Sequence, residues 1–399
     1  MEDLKEIPVL LLTGYLGSGK TTLVNKILNN RKGIRFAVIV NDIGEVNIDA
    51  DLIQKGGVVG KKDESLVALQ NGCICCTLKN DLIQQLTEIT SRQKFDYIVI
   101  EASGICEPEP IAQTICSIPA LGYEFVKNGI PVLDCVVTVV DAMRMQSEFA
   151  CGEDLRKPHL DEEDIESLVI QQIEFCNLIV LNKVSEVTPE ELGRIRAIVR
   201  TLQPKARVLE CDYCDFDLDE ILDTGMFQFD DVAASATWIQ EVEHHDDDHD
   251  DDDHDHEQDR DHDHHHHHHH DGEGEAEEYG IGTYVYQARR PFDLNSFDNF
   301  VAKKWPRNII RAKGICYFSE EFDTCYLFEQ AGRQFVLKNV GLWFATMPED
   351  ELIEKLREQP DLLHDWDPTY GDRMQKLVFI GQHLDKDFLK EELDKCLFE

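Results

Sequence analysis

Long apolar runs are missing from these 399 residues, and basic residues are scarce: 39 Lys and Arg face 79 Asp and Glu, a formal net charge of −40. No stretch approaches the roughly 20 consecutive apolar residues that a membrane-spanning helix needs. The acidic balance argues against broad attraction to nucleic-acid phosphates or anionic lipid, so neither nucleic acid nor membrane is an expected partner. No secretory leader is expected either: Met1, Glu2 and Asp3 are acidic overall, and the apolar run at 7–12 is too short for one. The expected compartment is the cytoplasm. Cysteine, by contrast, is not scarce. There are 13, an odd number, in a chain long enough to bury full cores without staples. They are therefore read as reduced thiols or metal ligands, not as a disulfide framework.

The acidity is uneven. Residues 241–278 hold 19 Asp and Glu against one Arg, which is −18 of the −40. Within them, the 27 residues 244–270 contain 13 His and 12 Asp or Glu and end in seven consecutive histidines, 264–270. So little apolar material cannot form a core, and 237–279 is expected to be a disordered linker between a domain at 1–236 and another at 280–399. Imidazoles and carboxylates offer many loose sites for Zn²⁺, Ni²⁺ or Co²⁺. A metal collector and a solvated spacer are both open readings of this segment.

The motif with the most chemistry lies near the start. An apolar run at 9–12 enters Gly14-Tyr15-Leu16-Gly17-Ser18-Gly19-Lys20-Thr21-Thr22, and a helical pattern follows. This is G-x-x-x-x-G-K-[ST] in a strand–loop–helix setting, a phosphate-binding loop. Glycines let backbone N–H groups turn toward a phosphate, and the helix N-terminus adds partial positive charge. Lys20 is placed to reach the β- and γ-phosphates, and the Thr21 hydroxyl to meet Mg²⁺. Further apolar runs at 36–40, 97–100, 135–140 and 178–181 alternate with helical stretches, which predicts an α/β fold with a mainly parallel sheet. Ligands in such folds gather at the carboxyl ends of the strands. The run at 97–100 ends there in Glu101, followed by Gly104: an acid suited to Mg²⁺ and an N–H suited to the γ-phosphate. The acidic loop 41–51 follows the second strand.

Cys73, Cys75 and Cys76 form C-x-C-C ahead of a predicted helix at 78–91. Thiolates are soft ligands suited to Zn²⁺, with Co²⁺ and Ni²⁺ as alternatives. Three local thiolates leave a coordination position open, as suits a metal that is passed on. Cys211 and Cys214 form an isolated C-x-x-C, read as a second metal site, a redox pair or incidental. Past residue 280, strands at 283–286, 309–318, 325–328, 334–337 and 376–380 and helices at 293–304 and 386–397 predict a smaller α+β domain. It shows no catalytic constellation; His364, His383 and Cys396 are read as packing or surface residues.

With these motifs in place, the chain resembles the CobW-type metallochaperone GTPases, of the group that includes the nickel-handling hydrogenase and urease maturation GTPases. The resemblance rests on the phosphate loop, on Asn41-Asp42-Ile43-Gly44-Glu45 with Ile48-Asp49, on Asn71-Gly72-Cys73-Ile74-Cys75-Cys76, and on Glu101-Ala102-Ser103-Gly104 with Pro108. It extends to Arg289-Arg290-Pro291-Phe292, Arg311-Ala312-Lys313-Gly314 and Leu377-Val378-Phe379-Ile380-Gly381. It implies a P-loop GTPase domain with a CobW-type C-terminal domain. GTP or GDP would be held by Gly14, Gly17, Ser18, Gly19, Lys20, Thr21, Thr22, Gly104, Asn182 and Lys183, with Mg²⁺ on Thr21 and Glu101. Catalysis would involve Lys20 with Glu45, Asp49 or Glu101. Zn²⁺ or Co²⁺ would sit on Cys73, Cys75 and Cys76, for delivery to a client metalloprotein. Insertion of cobalt into one enzyme or a corrin pathway, and metal storage with a structural nucleotide, are the alternatives. One departure stands out. The family's guanine reader is N-K-x-D, whereas this chain has Asn182-Lys183-Val184-Ser185. A serine oxygen is a weaker, uncharged acceptor for the guanine edge, and the neighbouring Glu186 offers a carboxylate in its place.

Overall fold

The computed structural model describes residues 4–29, 33–40, 66–68, 79–149, 163–233, 279–332, 334–358 and 366–398. The chain divides into two compact units, Met1–Ala236 and Thr237–Glu399. Of the expected linker, only Tyr279 lies among the described residues.

Among its described residues the first unit carries seven parallel strands: β1 (Glu6–Thr13), β2 (Phe36–Val40), β3 (Leu66–Ala68), β4 (Tyr97–Glu101), β5 (Ile130–Asp141), β6 (Leu178–Asn182) and β7 (Arg207–Cys211). Their order is β3-β2-β4-β1-β5-β6-β7. Every pairing between them is parallel. Val- and Ile-rich segments suit such strands because both faces are covered, and every residue of β2, β4 and β6 is buried. On one face Leu10, Leu12, Val38, Val99, Val137 and Val180 pack with Leu23, Val24 and Ile27 of the helix Lys20–Leu28. Those three helical side chains recur at the spacing of one helix face, and burying each contributes roughly 1.5–3 kcal/mol.

Two strands do not stand out as apolar runs. β3 is only three residues long, and β7 is an edge strand whose residues Arg207 and Glu210 are exposed, so it lacks the fully buried signature. The order also sets the position of the site. β1 is flanked by β4 on one side and β5 on the other, so the connections leaving the sheet diverge above its carboxyl end. That divergence opens a crevice where ligands bind in this class of sheet.

The second unit carries an antiparallel sheet of β8 (Ile281–Ala288), β9 (Ile309–Cys316), β10 (Thr324–Ala331), β11 (Gln334–Leu342) and β12 (Gln375–Gln382), in the order β11-β10-β9-β12-β8. The helices Leu294–Lys303 and Lys386–Asp394 start at Asp293 and Asp385, whose carboxylates accept from Ser296 N at 2.8 Å and Phe388 N at 3.0 Å. Phe297, Phe300, Leu389 and Leu393 from these helices join Phe292, Phe328, Leu377 and Phe379 in one core. Cys396 belongs to that core, as its reading as a packing residue anticipates, while His364 lies outside the described residues.

Candidate functional site

The phosphate-loop motif leaves β1 and turns into the helix Lys20–Leu28. Gly14, Gly17 and Gly19 take φ values of 135°, 79° and 117°, a region that side chains rarely enter. At two of the three, space forbids a side chain as well: a Cβ on Gly14 would lie 2.3 Å from the Val139 carbonyl oxygen, and one on Gly19 would lie 2.5 Å from Asn182 Nδ2. The loop therefore wraps against the ends of β5 and β6. Lys20, buried, opens the helix and points back into the loop, donating from Nζ to Gly14 O at 2.8 Å and Tyr15 O at 3.2 Å. Thr22 lies exposed beside it. The cation and the helix N-terminus thus act on the same small volume.

β4 brings the acid. Glu101 is 1% exposed, and its Oε1 accepts from Thr21 Oγ1 at 2.9 Å. The segment after β4 returns along the phosphate loop so closely that a Cβ on Gly104 would meet Leu16 N at 2.7 Å. Gln172, on the helix Glu163–Glu174, fixes that segment by donating from Nε2 to Gly104 O at 3.3 Å and Cys106 O at 3.1 Å. Sequence reasoning missed Gln172, since a lone Gln in a helix carries no signal of its partners.

At the other end of the crevice Asn182 closes β6. Its Nδ2 donates to Ser18 O at 2.8 Å, and its Oδ1 accepts from Cys214 N at 3.0 Å. One amide thereby ties the phosphate loop to the turn after β7. Lys183, in left-handed backbone at φ 63°, pairs with Asp141 at the end of β5 at 2.5 Å. Ser185 donates from both N and Oγ to Asp212 Oδ1, at 3.0 and 2.9 Å. The carboxylate beside Ser185 is therefore that of Asp212, 27 residues further along.

The C-x-x-C pair belongs to the same turn. Cys211 and Cys214 are buried, and Cys214 Sγ donates to Gly19 O at 3.5 Å. A hydrogen bond between the two sulfurs holds the Cys211 thiol below its ordinary value, and the same bond together with burial raises that of Cys214. Among the described residues no group of three or more His, Cys, Asp or Glu could hold a metal ion. Both cysteines pack in the buried core beneath the phosphate loop.

The family of nucleotide-binding domains described as CobW/HypB/UreG matches residues 8–210, and the cobalamin synthesis protein CobW C-terminal domain matches 281–397. The chain belongs to the CobW/HypB/UreG family of GTPases. Zinc-regulated GTPase metalloprotein activator 1 of Dictyostelium discoideum is 34% identical over 408 residues, covering 98% of this chain and 80% of that protein. Zinc chaperone CobW of Pseudomonas aeruginosa is 32% identical over 235 residues, 56% of this chain and 61% of its own length. The crystal structure of Zn(II)-bound YjiA GTPase from E. coli aligns with 99% of this chain at 20% identity and a TM-score of 0.41.

In this CobW-type chain the described site residues gather at the carboxyl end of the parallel sheet: Gly14, Gly17, Ser18 and Gly19 on the loop, Lys20, Thr21 and Thr22 opening the helix, Glu101 at the end of β4 with Gly104 beyond it, and Asn182 at the end of β6 with Lys183 beyond it. Glu45, Asp49, Cys73, Cys75 and Cys76 lie outside the described residues, as do the loop 41–51 and the histidine-rich 244–270. No helix among the described residues is long and apolar enough to cross a membrane.

Proposed function

We propose that this chain is a GTP-dependent metallochaperone that binds zinc at Cys73, Cys75 and Cys76 and couples GTP hydrolysis to delivery of the metal to a client metalloprotein. The observation that carries the nucleotide half is the convergence of the Gly14–Gly19 loop, the inward Lys20 ammonium and the Thr21–Glu101 pair on one volume. Ser18 Oγ, buried without a hydrogen-bond partner among the described residues, adds a polar atom that a phosphate would satisfy. The names of the relatives, a zinc-regulated activator and zinc chaperones, support the metal half.

The residues suit the reaction. Lys20 and the loop N–H groups would hold the β- and γ-phosphates and offset the charge that spreads over the transferring phosphoryl group. Two hard oxygen donors, Thr21 Oγ1 and Glu101 Oε1, stand 2.9 Å apart and fit Mg²⁺, which would neutralise phosphate charge there. Glu45, Asp49 and Glu101 are the candidates for orienting water. Soft thiolates, by contrast, suit the transferred zinc, which is cargo and not a resident cofactor. The γ-phosphate would order the loop 41–51 and bring the thiol segment into its metal-holding form, and hydrolysis would release it.

Cys75→Ser tests the coupling. GTP turnover should change in the variant when zinc is present and stay at the parent rate with a chelator, while zinc affinity should differ between the GTP-analogue and GDP forms. Zinc affinity independent of nucleotide would instead make the chain a metal store with a structural nucleotide.

A further inference from the structure

The departure at Ser185 leaves a specific question of chemistry. Guanine presents two adjacent donors, N1–H and the C2 amino group, and a carboxylate satisfies both at once. In N-K-x-D that carboxylate stands on the motif itself; here the motif offers a neutral hydroxyl. The same hydroxyl and its own backbone N–H both donate to one oxygen of Asp212.

We infer that Asp212, presented from the turn after β7, supplies the guanine-reading carboxylate that the Asn182-Lys183-Val184-Ser185 motif lacks. This assignment rests on the GTPase reading above and adds a specificity-determining residue to it. Both bonds from Ser185 fall on Oδ1, which orients the carboxylate and leaves the Oδ2 side its acceptor capacity for a base. Asp212 is partly exposed, so its carboxylate is accessible to a ligand.

The turn is held on three sides. Asn182 bonds Cys214 N at 3.0 Å, Cys214 Sγ bonds Gly19 O at 3.5 Å, and Lys26 of the first helix pairs with Asp215 at 2.6 Å. A side chain on this turn is therefore positioned relative to the phosphate loop, as base recognition requires. The serine orients and the aspartate reads. Glu186, the nearer carboxylate in sequence, does not have the Ser185 bonds.

Asp212→Asn in the full chain provides the test, with GTP, XTP and ATP competing against a fluorescent GTP analogue. An asparagine amide matches xanthine, which keeps the N1–H donor but carries a carbonyl at C2. The expected result is GTP binding weakened about 100-fold and XTP binding strengthened, since each bond to a charged acceptor is lost or reversed. Ser185→Ala should weaken GTP by less, about 3- to 10-fold, by loosening the carboxylate. Glu186→Gln should leave GTP affinity within about 2-fold. If Asp212→Asn keeps the parent's GTP affinity and GTP-to-XTP ratio, the assignment of Asp212 falls and the GTPase reading stands. If the parent chain itself binds no guanine nucleotide, both fall together. The XTP gain is a readout that a damaged fold would not produce.

Discussion

The two ends of the crevice are built differently. At the proposed phosphate end the loop and its lysine come from one contiguous motif, and most of the groups on offer are backbone: N–H groups freed by glycine geometry and a helix N-terminus, with Lys20 steadied on a loop carbonyl. At the base end the groups are side chains drawn from three places, Asn182 at the end of β6 with Ser185 just beyond it, Asp212 after β7 and Asp141 at the end of β5. Backbone recognition depends on a fixed set of residue types in a fixed order. Side-chain recognition needs only the right atoms in the right place, so it tolerates a carboxylate moving from one loop to another.

The largest effect should come from the phosphate end. Lys20→Ala removes the cation from the loop and should lower GTP hydrolysis about 100- to 1000-fold, measured as phosphate release by the full chain. A loss much smaller than the Asp212→Asn effect on GTP binding would reverse the ranking of the two ends. Gly104→Val comes next. With 2.7 Å between an added Cβ and Leu16 N, the segment after β4 must part from the phosphate loop, at a cost of about 1–3 kcal/mol in stability. Denaturant unfolding with and without GTP would measure it, and an unchanged midpoint would mean that the two segments move apart freely.

Arg35→Ala should be the mildest and should touch neither end. Arg35 donates to both oxygens of Asp96, and these bonds hold that carboxyl down at about 2. A carboxyl depressed in the folded state stabilises above its ordinary value and loses that contribution as pH falls through the folded one. The variant should thus be slightly less stable than the parent at about pH 6 and converge on it as pH falls below about 2, with the difference shrinking in salt because the pair is exposed. Acid titration of unfolding would show it; GTP binding should stay unchanged.

The same contrast explains how much of the fold and the site is legible in the order of the amino acids. The phosphate loop, Glu101 and the parallel strands are legible because each is a local pattern: an apolar run, a glycine spacing, an acid at a strand end. β7 is not, since an edge strand with exposed Arg207 and Glu210 lacks the apolar run that marks its neighbours. Without β7, Asp212 has no position, and Glu186 looks like the carboxylate at hand. Gln172 and Cys214 are hidden for the same reason: their roles are set by partners 68 and 195 residues away. The aromatic core of the C-terminal unit is legible as strands and helices, whereas the covering of its faces is not: Phe388, about 100° round the helix from the buried Leu389, is 37% exposed.

Asn182 carries one further consequence. Its amide faces a carbonyl on one side and an N–H on the other, so the position demands a donor and an acceptor in a single planar group. Aspartate would match its shape and fail, because two oxygens would set one of them against the Ser18 carbonyl with no proton between. The asparagine at the head of the motif is thus specified by the protein's own backbone before any nucleotide arrives.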